Sequence, residues 1–203
     1  MTVTAIRQTS PGRLIVSFDN GEELRSTLGA VTELRLYSGR ELDEAEFEAF
    51  RSLSARSLAR ERALELISRR SMSRKELMDK LISKGEAEDV AEYCAGWLEE
   101  NGFIDEERYA QQIARHYAAK GYGAGRVRAE LSRRGLDREL WDTAMAAMPA
   151  GDEKLDRFIA SRLKDPEDRD EIRKISSALY RRGYSWEEIR SALARYNAPQ
   201  EEY

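Results

Sequence analysis

The chain has 203 residues and a formal net charge of −4, with 35% charged and 41% hydrophobic residues. One cysteine, Cys94, and one histidine, His116, exclude an internal disulfide and cysteine- or histidine-based metal centres. No apolar run approaches the roughly 20 residues of a membrane span, and the N-terminus lacks the layout of a secretory signal. A soluble cytoplasmic protein without metal or cofactor is the expectation.

Residues 1–42 differ from the rest. Leu14, Val16 and Phe18 alternate as in a strand. Ser10-Pro11-Gly12 and Asp19-Asn20-Gly21 are turn signals, and Asn-Gly favours a tight hairpin. A further strand over Glu22 to Thr27 completes a meander, and Leu28 to Leu36 reads as a short helix. A sheet of so few strands is marginal alone, and this β-rich subdomain is expected to rest on the helices C-terminal to it.

From Asp43, which suits a helix cap, the pattern is helical. Phe47, Phe50 and Leu53 mark one face, and the helix either continues or breaks near Ser54. Ala63, Leu64 and Ile67 mark the next face. Ser73 and Glu76 form an S-x-x-E capping box. The helix they open carries Leu77 and Leu81 and closes at Lys84-Gly85. The next carries Val90, Cys94 and Trp97 and ends at Asn101-Gly102. Asp105 caps a helix whose apolar stripe is Tyr109, Ala110, Ile113, Ala114 and Tyr117. Phe103 is among the aromatics expected to pack in a core. Val127 and Leu131 belong to a short helix ending at Gly135.

Aligning the glycines exposes a repeat. Leu77, Leu81, Lys84 and Gly85 match Val127, Leu131, Arg134 and Gly135, and again Ile175, Leu179, Arg182 and Gly183. In each copy an apolar pair at i, i+4 precedes a basic residue, which suits a helix C-terminus, and a glycine, which suits the left-handed position after it. Ser185 and Glu188 are a second capping box. Phe158, Ile159 and Leu163 mark the third copy's first helix, Pro149-Ala150-Gly151 separates the second and third copies, and Pro166 breaks the segment after Leu163. The fold expected is mainly α: an elongated array of three tandem three-helix repeats with a small β-rich N-terminal subdomain. Its parts are 1–42; 43–102, a linker helix plus the first repeat; 103–148, the second repeat; and 149–203, the third repeat and tail.

Charge alternates along this array. Arg51 to Lys84 holds ten Lys/Arg against four Asp/Glu, Gly85 to Glu107 nine Asp/Glu and no Lys/Arg, and Ile113 to Arg138 seven Lys/Arg against two Asp/Glu. The candidate contact residues are Lys120, Tyr122, Arg126, Arg128, Arg133 and Arg134. Arg126 and Arg133, seven apart, share a helix face. The bland alternative is a solvated face. A second block, Arg69, Arg70, Arg74, Lys75, Lys80 and Lys84, is a weaker candidate, since the acidic 85–107 stretch offers internal partners. The aromatics, including Trp97, Trp141 and Trp186, suit core packing better than base stacking. Tyr122 is the exception, placed in an exposed glycine-flanked turn. Gly121-Tyr122-Gly123-Ala124-Gly125 lacks the lysine and hydroxyl residue of a P-loop. His116 reads as a surface residue and Cys94 as core.

The segments Gly102-Phe103-Ile104-Asp105-Glu106-Glu107-Arg108-Tyr109-Ala110, Lys120-Gly121-Tyr122-Gly123 with Arg126, Val127, Glu130, Leu131 and Arg134-Gly135, the Ser73–Gly85 pattern and Arg181-Arg182-Gly183-Tyr184 together resemble the RecX family of bacterial RecA regulators. The match runs over residues 60–196. Ala124 stands where that family often has proline, and the acidic balance departs from the basic surface tied to direct DNA contact. The resemblance implies a small non-enzymatic protein that binds RecA or its nucleoprotein filament; a monomer with at most weak direct contact to DNA is the expectation. It also implies restraint of ATP hydrolysis, strand exchange and co-protease activity. Two other readings stay open: a nucleic-acid-binding helical module, for which the net charge is unfavourable, and a structural adaptor for another partner.

Overall fold

The computed structural model describes residues 1–149 and 153–196. Two compact units divide the chain, Met1–Ile104 and Asp105–Tyr203.

The first unit opens with an antiparallel sheet in the order β1 (Val3–Ser10), β2 (Arg13–Phe18), β3 (Glu23–Thr27). Its inner rows pair Ile6 with Val16 and Val16 with Leu24. Leu14, Val16 and Phe18 pack with Val31 of the short helix α1 (Leu28–Glu33) and with Phe47 and Phe50 of α2 (Glu44–Arg69). Asp43 caps α2 through a full capping box with Glu46. There is no break at Ser54: α2 runs unbroken for 26 residues. Ser54 and Ser57 are buried there because their hydroxyls pair with Ser26 at 2.8 Å and Thr27 at 2.6 Å on β3. Two hydroxyl pairs thus dock the sheet on the helix where the sequence alone permitted a break.

The C-terminal half of α2 packs with α3 (Arg74–Ser83) and α4 (Glu88–Glu100) around Ala59, Ala63, Leu77, Leu81, Cys94 and Leu98. Ser73 and Glu76 make the expected capping box. Phe103 departs from expectation. It is 54% exposed and lies on Trp97, ring centroids 5.9 Å apart, while Ile104 is the residue that enters the core.

The second unit holds two three-helix sets. α5 (Glu106–Ala119), α6 (Ala124–Arg133) and α7 (Glu139–Ala146) enclose Tyr109, Ile113, Val127, Leu131 and Ala144. α8 (Glu153–Ala160), α9 (Arg169–Arg181) and α10 (Trp186–Ala194) enclose Leu155, Ile159, Ile175, Leu179 and Ile189. Leu163 packs on this core from beyond the end of α8. The three aligned pairs, Leu77/Leu81, Val127/Leu131 and Ile175/Leu179, are all buried, and Gly85, Gly135 and Gly183 all adopt positive φ. Of the separator Pro149-Ala150-Gly151, the last two residues lie outside the described ones, as do 197–203 of the tail. Among the described residues, no helix is long and apolar enough to cross a membrane.

Candidate partner-binding groove

The glycine-rich turn before α6 exists for a close approach. The Gly123 N–H donates to the Arg182 carbonyl at 3.0 Å, and the Gly125 N–H to the Gly183 carbonyl at 2.9 Å. A Cβ on Gly123 would stand 2.5 Å from the Gly183 oxygen, and one on Gly183 would stand 2.2 Å from the Arg126 nitrogen. The turns of the second and third repeats therefore interlock through bare backbone. Arg182 clamps the join: its guanidinium lies over the rings of Tyr122 and Phe158, and it donates to the Gly121 carbonyl at 3.4 Å.

This contact leaves a cleft of about 660 Å³ between α6 and the α9–α10 turn. Arg126, Arg128 and Arg181 line it, and all three are exposed without an ion pair among the described residues. Tyr180 lies on the rim, 54% exposed, with one face stacked on Trp186 at 4.9 Å and an interplanar angle of 16°. Among the described residues, Glu188 is the one carboxylate lining the cleft, and it accepts from the N–H and hydroxyl of Ser185 in the cap of α10. A cleft with three unneutralised guanidinium groups and an open aromatic face suits an anionic partner that carries flat or apolar groups.

The sequence candidates fall into three sets. Arg126 and Arg128 line the groove. Lys120 is exposed at the end of α5, and Tyr122 is half-buried rather than open, held between Tyr117, Arg126 and Arg182. Arg133 and Arg134 do not form a spare basic face, because both bind Glu130. Arg133 donates at 2.6 and 3.1 Å and Arg134 at 2.7 Å, and Arg134 also reaches the Tyr109 hydroxyl. Glu130 is only 4% exposed. Hydrogen bonds from Arg133 and then Arg134 outweigh its burial and hold its carboxyl down at about 2. Arg134 is thus an internal counterion, and Arg133, 67% exposed at its side chain, is shared between that role and solvent.

The weaker block is largely neutralised internally. Arg69 pairs with Glu65, Arg70 with Glu76, Lys75 with Asp79, and Arg74 with both Glu92 and Glu99. Lys80 and Lys84 have no ion pair among the described residues. Sequence reasoning missed Tyr180 and Arg181 as groove residues. The signal was present: aligning Gly183 on Gly135 places Arg181 and Arg182 on Arg133 and Arg134.

The fold is that of a helical-repeat protein built from three-helix units. Models of the first, second and third three-helix domains of RecX match residues 59–98, 105–145 and 159–193. The chain is 39% identical over 136 residues to regulatory protein RecX of Xanthomonas axonopodis pv. citri (strain 306), covering 65% of this chain and 83% of that protein. It is 37% identical over 140 residues to regulatory protein RecX of Stenotrophomonas maltophilia (strain R551-3), covering 68% and 85%. A crystal structure of regulatory protein RecX shares the fold with a TM-score of 0.73 at 20% identity over 96% of this chain and 98% of that one. RecX from Lactobacillus salivarius aligns with a TM-score of 0.62 at 23% identity over 70% and 97%. The chain belongs to the RecX family.

Proposed function

We propose that this protein is a negative regulator of RecA, binding the recombinase or its DNA filament and restraining ATPase, strand exchange and co-protease activity. It acts by binding rather than catalysis, in the cytoplasm, within DNA recombination, repair and the SOS response. Membership of the RecX family is the observation that carries this reading. The groove between α6 and the α9–α10 turn supplies a physical means: Arg126, Arg128 and Arg181 offer forked donors to carboxylates or phosphates, and complementary charge speeds association and fixes register. The test is RecA ATPase on single-stranded DNA with and without the purified chain. A dose-dependent fall is expected; an unchanged rate at excess protein overturns the reading.

The outward face of Tyr180 beside three arginines favours a second reading, direct contact with single-stranded DNA, since an aromatic face stacks on any base. Binding without RecA that falls steeply with salt would support it.

A further inference from the structure

A second, unrelated surface lies on the first unit. Arg56 and Arg60 stand four apart on α2, and Tyr93 and Trp97 stand four apart on α4. The Arg56 guanidinium lies over the Tyr93 ring at 4.6 Å and that of Arg60 over the Trp97 ring at 5.1 Å. Phe103 continues the row by stacking on Trp97. Tyr93 is 37% exposed and Phe103 is 54% exposed. The result is a continuous strip of two cation–π pairs and an outlying aromatic ring.

Neither arginine has a carboxylate partner among the described residues. Of the five α4 carboxylates, Glu92 and Glu99 are drawn to Arg74, the first residue of α3, and Glu88, Asp89 and Glu100 make no ion pair with Arg56 or Arg60 among the described residues. Stacking occupies the flat faces of the two guanidiniums and leaves their in-plane N–H forks for an acceptor. It also fixes their orientation, so little side-chain entropy remains to be lost on binding. Exposed Tyr93, Phe103 and Arg56 beside half-buried Trp97 and Arg60 give the aromatic-and-arginine composition of an interface centre.

We infer that this strip docks an acidic helical segment of a partner protein, with two carboxylates one helical turn apart bound by Arg56 and Arg60 and an apolar side chain seated on Phe103. The match is metric: residues four apart on any helix lie ~6 Å apart, so carboxylates at i and i+4 on the partner face arginines at i and i+4 on α2. The inference is independent of the RecA reading, because nothing in it uses the groove or names that partner.

The test is binding of the full chain to a fluorescein-labelled, alanine-based helical peptide carrying two glutamates four residues apart and a leucine one turn further on. Saturable binding is expected. Arg56→Gln with Arg60→Gln, and separately Phe103→Ala, should each weaken it at least tenfold while thermal melting is unchanged. Lys80→Gln with Lys84→Gln, which removes two other cations of the same unit, should leave affinity within twofold. Equal binding by the Arg56/Arg60 variant, or equal loss in the Lys80/Lys84 variant, overturns the inference. So does displacement of the peptide by a mixed-sequence oligonucleotide at lower concentration, which assigns the strip to nucleic acid, or Arg56-dependent self-association in sedimentation, which assigns it to a second copy of the chain.

Discussion

The Gly183 carbonyl oxygen accepts a hydrogen bond from the Gly125 N–H at 2.9 Å, with Gly123 packed so closely that a Cβ there would come within 2.5 Å of the same oxygen. Gly123 has an ordinary φ of −80°, so Gly123→Ala meets only a clash of backbone against methyl. The expected loss is about 2–3 kcal/mol, the upper range for overpacking a tight contact. Gly183→Ala adds the strain of a φ of +89° to a Cβ 2.2 Å from the Arg126 nitrogen and should be worse. Gly85→Ala, with a similar φ and open space around it, should cost about 1–2 kcal/mol. Urea unfolding of the three variants checks the order; a wild-type midpoint for Gly123→Ala would contradict the interlock.

Glu130 gives a pH-dependent stability with a defined sign. Its carboxyl sits at about 2 in the fold against an ordinary value of 4.5, so its contribution is present above pH ~4.5 and is lost as pH falls toward ~2. A shift of that size corresponds to at most about 3 kcal/mol. Glu130→Gln should therefore melt well below the wild type at pH 6, because Arg134 loses its counterion, and the gap should close by pH ~2. A constant gap across that range would mean that the carboxylate charge is not what holds the arginines.

Much of this architecture was readable in the chain. Helix-ending glycines and apolar pairs at i, i+4 are local features, so the period near 50 and the three cores around Leu81, Leu131 and Leu179 are legible from spacing. What escaped the sequence depends on distant partners. The glycines at 123 and 125 face a residue about 60 positions away, and Ser54 is buried only because Ser26 on a strand meets it. Arg133 and Arg134 read as spare because a glutamate within a polar helix pattern reads as solvated. Its position three and four residues before them was the available sign that it serves them. Phe103 reads as core because large aromatics usually are; Ile104 fills that place, and Phe103 remains outside.

The hydroxyl pair Ser26–Ser54 tests how the sheet is held to α2. Each hydroxyl is buried, and at 2.8 Å each is the other's main partner. Ser54→Ala should cost about 1–3 kcal/mol by leaving the Ser26 hydroxyl unsatisfied, and Ser26→Ala should cost a similar amount. The double variant removes both polar groups and should lose less than the sum of the two. A double-mutant cycle by chemical denaturation measures that coupling, expected at about 0.5 kcal/mol or more; strict additivity would show that the pair does not act as a unit.

Cys94 should be inert in the native chain. It is fully buried among Ala59, Ala91 and Leu98, and burial pushes its thiol up to about 11, against which the nearby Arg60 and Arg56 act only weakly. A thiol of that kind carries almost no thiolate at pH ~8 and has no path to a reagent. Ellman's reagent should react with it in guanidinium and not in buffer; rapid reaction in buffer would place α4 away from α2.

On the proposed reading, the groove and the counterion pair separate function from stability on neighbouring residues of one helix. Arg126 and Arg128 are exposed on the groove, with Arg126 lying over Tyr122 at 5.9 Å, and neither neutralises a buried charge. Arg126→Glu with Arg128→Glu should weaken restraint of RecA ATPase at least tenfold while helicity and melting stay near wild type, since exposed substitutions of this kind usually cost within ~0.5 kcal/mol. Arg134→Ala should do the opposite. It removes a partner of a 4%-exposed carboxylate and should destabilise by about 1–3 kcal/mol, with inhibition per folded molecule retained. Reversal of that pattern, with Arg134→Ala inert in melting and decisive for ATPase, would move the contact face off the groove and onto the end of α6.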